Sequence, residues 1–543
     1  MPSPRRKTPP GTAIVTVGMV ATLAWVATLA PVATLTPVTT LASAALLIPP
    51  PTTAPVPAPD VIPRMTCDEL TANSWTGFVL EEASEVAASS TDPAHCRVRG
   101  TIDAEIHFEL LLPQAADWNG RFLMGGGGGY VGSVQNQALQ FAGPESVLSR
   151  GFATVGTDTG HRGSGTDASW ALNRPDREVN FGHRAVHVTA ETAKTIIRLY
   201  YGRDIDYSYF LGCSRGGGQG MMSSQRYPDD FDGIVAGAPA YNWTALGALF
   251  LQTQQVLFPD PADLSTPVIT DEAARTLETA ILDACDENDG VKDGIMTDPL
   301  TCDIDPASIA GLTDDQRRAA EVIYEGAYVG GRLVYPGFPF GGETAVGGWR
   351  QWITGGGRGA APNLHYAFGT QMHKYIIFDD PEFDYSTFDF NDHGVWEEQT
   401  RRARKHLDAT ETDLTGFKTA GGRLILWNGL SDAAIPATGT IRYYEGVAAG
   451  DEDVNDYLRM FMLPGVLHCA GGPGPDRVDW IDVIQEWVED GTAPQRLVAT
   501  RVDQGEVEMQ RPLCAWPARA VYDGSGDPKR AESFECEAPP EEG

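Results

Sequence analysis

Residues 209–239 read YFLGCSRGGGQGMMSSQRYPDDFDGIVAGAP, and their reading decides the fold. Tyr209-Phe210-Leu211 is an apolar, aromatic run suited to a buried strand. Gly212-Cys213-Ser214-Arg215-Gly216 then fits G-x-S-x-G, and a helix-like segment with Met221, Met222 and Tyr227 follows. A serine on a sharp turn between strand and helix, flanked by small residues, is the nucleophile-elbow arrangement. The turn lifts the serine Oγ to the top of the sheet. The helix N-terminus below it favours developing negative charge. The plain alternative is a glycine-rich loop with an ordinary serine, and partners elsewhere in the chain decide between the two.

Upstream, WNGRFLM (118–124) reads as a strand running into five consecutive glycines, Gly125 to Gly129. Glycines there let the backbone approach a ligand closely. An α/β-hydrolase places its oxyanion-hole loop at this point. No G-K-[ST] follows, so a phosphate cradle fits poorly. Residues 97–113 alternate like strands, 152–155 read as another strand, and 186–201 read as a helix packed on the sheet. Downstream of the serine, Gly233-Ile234-Val235-Ala236-Gly237 is a further strand. The sheet resumes at GRLILWNG (422–429), closely followed by Ser431-Asp432. Met460 to Gly465 forms one more strand, and His468 lies in the loop after it. The order Ser214, Asp432, His468 is the triad order of α/β-hydrolases.

Composition narrows the setting. The charge balance of 40 basic against 73 acidic residues gives −33, which argues against nucleic acid or an anionic membrane surface as partner. Arg5, Arg6 and Lys7 precede a mostly apolar stretch from Ala13 to about Ala30, and Ala42-Ser43-Ala44 suits signal cleavage. The apolar part is long, so an uncleaved membrane anchor is the competing reading. Residues 45–64 are a proline-rich linker. Eight cysteines without C-x-x-C spacing, behind an export signal, read as disulfides formed in an oxidising compartment.

From about Tyr241 to Thr412 the strand–helix alternation stops, and the text is irregular and rich in aromatics, which reads as an inserted lid. Within it lies CDENDGVKDGI (285–295). Its closely spaced Asp286, Asp289 and Asp293 are hard oxygen ligands suited to calcium, though the spacing is not that of an EF-hand. A solvated acidic turn is the plain alternative. Cys285 and Cys302 bracket this loop, and Cys514 and Cys536 lie in the tail.

Five stretches together resemble the tannase and feruloyl esterase family, which also contains the hydrolase of mono(2-hydroxyethyl) terephthalate. They are WNGRFLMGGGGG, SYFLGCSRGGGQGMMSSQRYPDDFDGIVAGAPA, CDENDGVKDGI, LWNGLSDAAIP and LPGVLHCAGGPGPD. A cysteine directly before the serine and another directly after the histidine mark this family. The resemblance implies a triad of Ser214, Asp432 and His468, with the backbone N–H groups of Gly129 and Arg215 as oxyanion hole. It implies bridges Cys67–Cys96, Cys213–Cys469, Cys285–Cys302 and Cys514–Cys536. It also implies a structural calcium on the side chains of Asp286, Asp289 and Asp293 and the carbonyls of Val291 and Ile295. An additional lid disulfide of some members has no cysteines here. The arginine that recognises the terephthalate carboxylate finds no match.

The expected fold class is α/β: an α/β-hydrolase core with a large inserted lid domain. The expected divisions are 1–44 signal peptide, 45–64 linker, 65–240 first core part, 241–412 lid with the calcium loop, and 413–543 second core part. The expected protein is a secreted serine carboxylesterase acting on small aromatic esters such as ferulate, p-coumarate or gallate esters, including ones linked to plant polymers. It would keep no membrane partner after signal cleavage, and the sequence leaves its oligomeric state open. A polyester-monomer or alkyl esterase with the same triad is the first alternative. A non-catalytic, calcium-stabilised binding protein on the same fold is the second.

Overall fold

The computed structural model describes residues 64–355 and 362–538. The expected signal segment and nearly all of the linker lie outside them. The described residues form one compact unit.

A nine-stranded mixed sheet organises this unit. Its first seven strands are β1 (Phe78–Val86), β2 (His95–Ile102), β3 (Ile106–Pro113), β4 (Arg121–Gly125), β5 (Ala153–Thr157), β6 (Tyr207–Cys213) and β7 (Gly233–Gly237). A short hairpin of β8 (Gly326–Val329) and β9 (Arg332–Pro336) stands apart, and β10 (Arg423–Gly429) and β11 (Leu458–Leu463) complete the sheet. The order is β1-β2-β3-β5-β4-β6-β7-β10-β11. The pairs from β1 to β5 are antiparallel, and those from β5 through β4, β6, β7 and β10 to β11 are parallel. The parallel strands are buried on both faces. Phe210, Ile234, Leu424 and Leu426 enter one core. Tyr209, Leu211, Val235, Ile425 and Trp427 enter the other. That is why these strands read as continuous apolar runs. Edge strand β1 was not visible in the sequence because FVLEEASEV is acidic and mostly half-exposed, without an apolar period.

β7 pairs directly with β10, so the whole insert leaves and re-enters the sheet between adjacent strands. The insert is not irregular, as its sequence suggested. It is largely helical, with long helices Trp243–Leu257, Asp271–Cys285, Asp314–Glu325 and His393–Leu407. The first of these is buried almost all round, so it shows no amphipathic stripe to read. Trp349, Tyr385 and Trp396 lie in the insert's interior.

The tail adds the hairpins β12 (Arg496–Asp503)–β13 (Glu506–Cys514) and β14 (Arg519–Tyr522)–β15 (Phe534–Glu537). A bridge between Phe461 and Ala515 lays this tail along the exposed edge of β11. Covering an edge strand removes a template for intermolecular pairing. Four disulfides join Cys67–Cys96, Cys213–Cys469, Cys285–Cys302 and Cys514–Cys536.

Candidate active site

Strand register sets the site. Cys213 at the end of β6 aligns with Gly237, Gly237 aligns with Trp427, and Gly429 at the end of β10 aligns with Leu463. The loops carrying Ser214, Asp432 and His468 therefore leave the same carboxyl edge of the sheet, where open α/β sheets bind ligands.

Ser214 sits between β6 and the helix Arg215–Arg226 at φ 64°, ψ −124°, a conformation rare for any residue with a side chain. The turn closes because Gly212 and Gly216 touch: a Cβ on Gly212 would stand 2.5 Å from the Gly216 carbonyl carbon. Gly216, Gly217, Gly218 and Gly220 all fall within this one helix, against ordinary helix propensity. Close packing on the sheet requires them.

Asp432 is buried in the turn after β10. Its Oδ1 accepts hydrogen bonds from the N–H groups of Ala434 (2.7 Å) and Ile435 (3.0 Å). Its Oδ2 lies 2.8 Å from His468 Nδ1. The ring of Trp352 stands edge-on to His468 with centroids 4.8 Å apart. Ser214 and His468 line one cleft, with an apolar wall that includes Trp243, Leu246, Phe250, Trp352 and Phe368. No Ser214–His468 hydrogen bond is formed in this geometry. In free enzymes such contacts are often long and tighten when substrate binds.

The glycine loop after β4 has a telling hydrogen-bond pattern. Gly126 N–H donates to the Leu211 carbonyl, Gly127 to Gln219 Oε1, Gly128 to Gln135 Oε1, and Tyr130 to the Gly165 carbonyl. Among the described residues, Gly129 N–H alone in this run has no acceptor, and Gly129 lines the cleft beside Ser214. Its φ is +55°, and a Cβ there would stand 2.2 Å from the Gly165 carbonyl oxygen, so only glycine fits. Arg215 N–H heads its helix, where the first N–H groups lack intrahelical acceptors. Two residues whose N–H groups have no acceptor among the described residues thus line one cleft with Ser214.

The supporting residues were missed in the sequence. Gln137 clamps the residue before the serine on both sides, accepting from Cys213 N–H (2.9 Å) and donating to its carbonyl (3.2 Å). Gln135 and Gln219 fix the glycine loop. A buried glutamine one turn beyond the elbow was the only available signal, and it has no meaning without the loop it meets.

Cys213 and Cys469 are bridged with their Cα atoms 5.9 Å apart, tying the neighbours of Ser214 and His468 across 256 positions. On a chain-entropy account such a closure contributes about 5 to 6 kcal/mol. The effect on rate is sharper, because displacing a base by about 1 Å costs ~100-fold. Replacing both cysteines by serine is expected to lower kcat ~100-fold with the native fold retained. Steady-state kinetics with a thermal melt checks this, and a double variant of normal kcat would refute it.

The acidic loop is tightly folded. Asp286 Oδ1 accepts from Gly294 N–H, Asp289 from Val291 and Thr297 N–H, and Asp293 from Ile295 N–H. Asp293 also pairs with Arg511 from the tail. Burial, together with the neighbouring carboxylates, raises Asp286 and Asp293 above the usual carboxylate range. Among the described residues the carbonyls of Val291 and Ile295 accept no hydrogen bond, and no three His, Cys, Asp or Glu side chains already stand in a metal-binding cluster. Three carboxylates and two spare carbonyls on one short loop are oxygen donors of the type a hard divalent cation takes, though the side chains do not converge on one point here.

Residues 91–537 match the family described as Tannase and feruloyl esterase. The chain is 34% identical to the mono(2-hydroxyethyl) terephthalate hydrolase of Piscinibacter sakaiensis, over 85% of this chain and 87% of that one. It is 32% identical to a probable feruloyl esterase of Arthroderma benhamiae, over 80% and 83% of the two chains. The crystal structure of feruloyl esterase B from Aspergillus oryzae superposes with a TM-score of 0.75 at 27% identity, covering 87% of this chain and 99% of that one. With that match spanning the sheet, the insert and the tail, the chain belongs to the tannase and feruloyl esterase family of carboxylic ester hydrolases.

Proposed function

We propose that this esterase is a secreted serine hydrolase of aromatic acid esters, with Ser214 as nucleophile, His468 as general base and Asp432 as the group that orients it. The observation carrying the reading is the Asp432–His468 hydrogen bond beside a strained serine, in a cleft lined by two residues whose N–H groups have no acceptor among the described residues. His468 takes the Ser214 proton as Oγ attacks the ester carbonyl. Asp432 holds Nδ1 protonated, so Nε2 is the basic nitrogen. The N–H groups of Gly129 and Arg215 meet the oxyanion, each such donor contributing about 3 to 4 kcal/mol. His468 then protonates the leaving alcohol, and water releases the acid by the same steps.

The apolar cleft supports a flat aromatic acyl group, since Trp243, Phe250, Trp352 and Phe368 supply ring faces and edges. Methyl ferulate, methyl gallate, a terephthalate monoester and p-nitrophenyl acetate form the deciding panel. An aryl acyl ester is expected to show the highest kcat/KM. A higher value for the acetate than for every aryl acyl ester would favour the alkyl-esterase alternative.

Secretion rests on the basic and apolar N-terminal segment together with four disulfides suited to an oxidising compartment. Among the described residues no helix is long and apolar enough to cross a membrane.

Calcium would be held by Asp286, Asp289 and Asp293 with the carbonyls of Val291 and Ile295, as a structural ion drawing the three carboxylates together. Through the Asp293–Arg511 pair the loop also meets strand β13 of the tail. EDTA is expected to lower Tm by several degrees, because a ligand of the folded state alone stabilises it by mass action. Calcium should restore the Tm. An unchanged Tm, with no calcium found in the purified protein beforehand, would remove the site.

A further inference from the structure

The side chain of Arg215 has no explanation in the mechanism above, which uses only its backbone N–H. The residue is 1% exposed. Its guanidinium carbon lies 4.3 Å from the ring centre of Phe181 and 5.5 Å from that of Trp243. One nitrogen, Nη2, donates to the carbonyls of Phe181 and Gly182. Those carbonyls belong to a π-helical turn, Asn180–Arg184. The remaining nitrogens, Nε and Nη1, are buried without any hydrogen-bond partner. No carboxylate pairs with this arginine among the described residues, although the chain carries 73 acidic side chains against 40 basic ones. A buried charge normally keeps a counter-ion, because leaving it unpaired costs free energy. Holding two carbonyls requires no charge, since a neutral amide would serve.

The covalent frame fixes where this charge sits relative to the chemistry. An arginine's guanidinium carbon lies within about 7 Å of its own backbone nitrogen. In Arg215 that nitrogen is the proposed oxyanion donor. Resting on the serine-esterase reading above, we propose that the Arg215 guanidinium is an electrostatic positioning residue whose missing counter-ion is the oxyanion itself, formed only during turnover. The ground state holds an unpaired positive charge within reach of the oxyanion hole, and the tetrahedral intermediate supplies the negative one. Aromatic rings on one side and the π-helical carbonyls on another hold the guanidinium dry without neutralising it. An interaction made only in the transition state raises kcat and leaves KM alone. A unit charge roughly 8 Å from the oxyanion, at an effective dielectric near 20, corresponds to a rate factor of about 30.

The test compares Arg215→Lys with Arg215→Gln in the full secreted chain. Lysine keeps the charge and loses the planar fork; glutamine keeps a donor for the π-helical carbonyls and loses the charge. With p-nitrophenyl acetate, Arg215→Gln is expected to lose ~10- to 30-fold in kcat at unchanged KM, and Arg215→Lys to stay within about 3-fold. Phenylboronic acid provides the second readout. Ser214 Oγ adds to boron, His468 takes the proton, and a tetrahedral boronate anion results. Its inhibition constant should rise in Arg215→Gln by the same factor as kcat falls, while that of uncharged N-methylbenzamide stays put. Equal losses in both variants, a loss carried by KM, or unchanged boronate binding would overturn the inference. Should Arg215→Gln not fold, Arg215→Met replaces it. If neither neutral variant folds while the lysine variant does, the charge serves stability and the inference fails. Ser214→Ala measured alongside separates the two levels: an active Ser214→Ala refutes the serine mechanism, whereas an inactive one beside an unchanged Arg215→Gln refutes only the role of this charge.

Discussion

Ser214→Ala is expected to abolish ester hydrolysis, with kcat falling about 10⁴- to 10⁶-fold. Removing a nucleophile normally leaves only what the oxyanion donors and binding can do alone. The fold should barely notice. Ser214 Oγ makes no hydrogen bond among the described residues, and alanine keeps the Cβ that the φ of 64° already accommodates. Tm should therefore stay within a degree or two. A fluorophosphonate probe gives an independent readout, since it should label the wild-type chain at Ser214 and leave the variant unlabelled. Turnover near the wild-type rate, or labelling at another residue, would show that the elbow is not the reacting centre.

Asp432→Asn is expected to lower kcat about 10⁴-fold through the tautomer of His468. The orientation of the new amide is dictated by the backbone. Oδ1 of Asp432 receives two N–H donors, from Ala434 and Ile435, and only an oxygen can occupy that place. The amide nitrogen of an asparagine must then point at His468, where Oδ2 now accepts from Nδ1 at 2.8 Å. Facing a donor, Nδ1 becomes the acceptor and the ring proton moves to Nε2. A protonated Nε2 cannot take the serine proton. Shape and packing are nearly unchanged, so Tm should fall little, and the loss should appear in kcat rather than KM. A variant within tenfold of the wild-type kcat would assign the orienting role to another group.

Where sequence sufficed, local chemistry was self-contained. The elbow could be read because a sharp strand–turn–helix needs glycines at fixed offsets from Ser214, whatever surrounds it. The parallel strands could be read because burial on both faces demands continuous apolar runs such as Arg423–Gly429. Asp432 and His468 were singled out as candidates by their position after late strands, since the carboxyl ends of parallel strands share one edge. Edge strand β1 and the helical insert were hidden: the first carries no apolar period, and in the second the helix Trp243–Leu257 is buried almost all round.

Tertiary structure alone decided which of the five glycines keeps a free N–H. That depends on Leu211, Gln219 and Gln135, which accept from Gly126, Gly127 and Gly128 and leave Gly129 without an acceptor among the described residues. It alone decided that the aromatic wall is drawn from Trp352 and Phe368 of the insert rather than from Trp349 or Trp396, which are interior. It also decided that Arg215 lies buried with its charge unpaired. A sequence specifies hydrogen-bonding groups and charges one residue at a time. Whether a donor or a charge finds its partner depends on residues far away in the chain, and only the folded packing brings them together or leaves one unmatched.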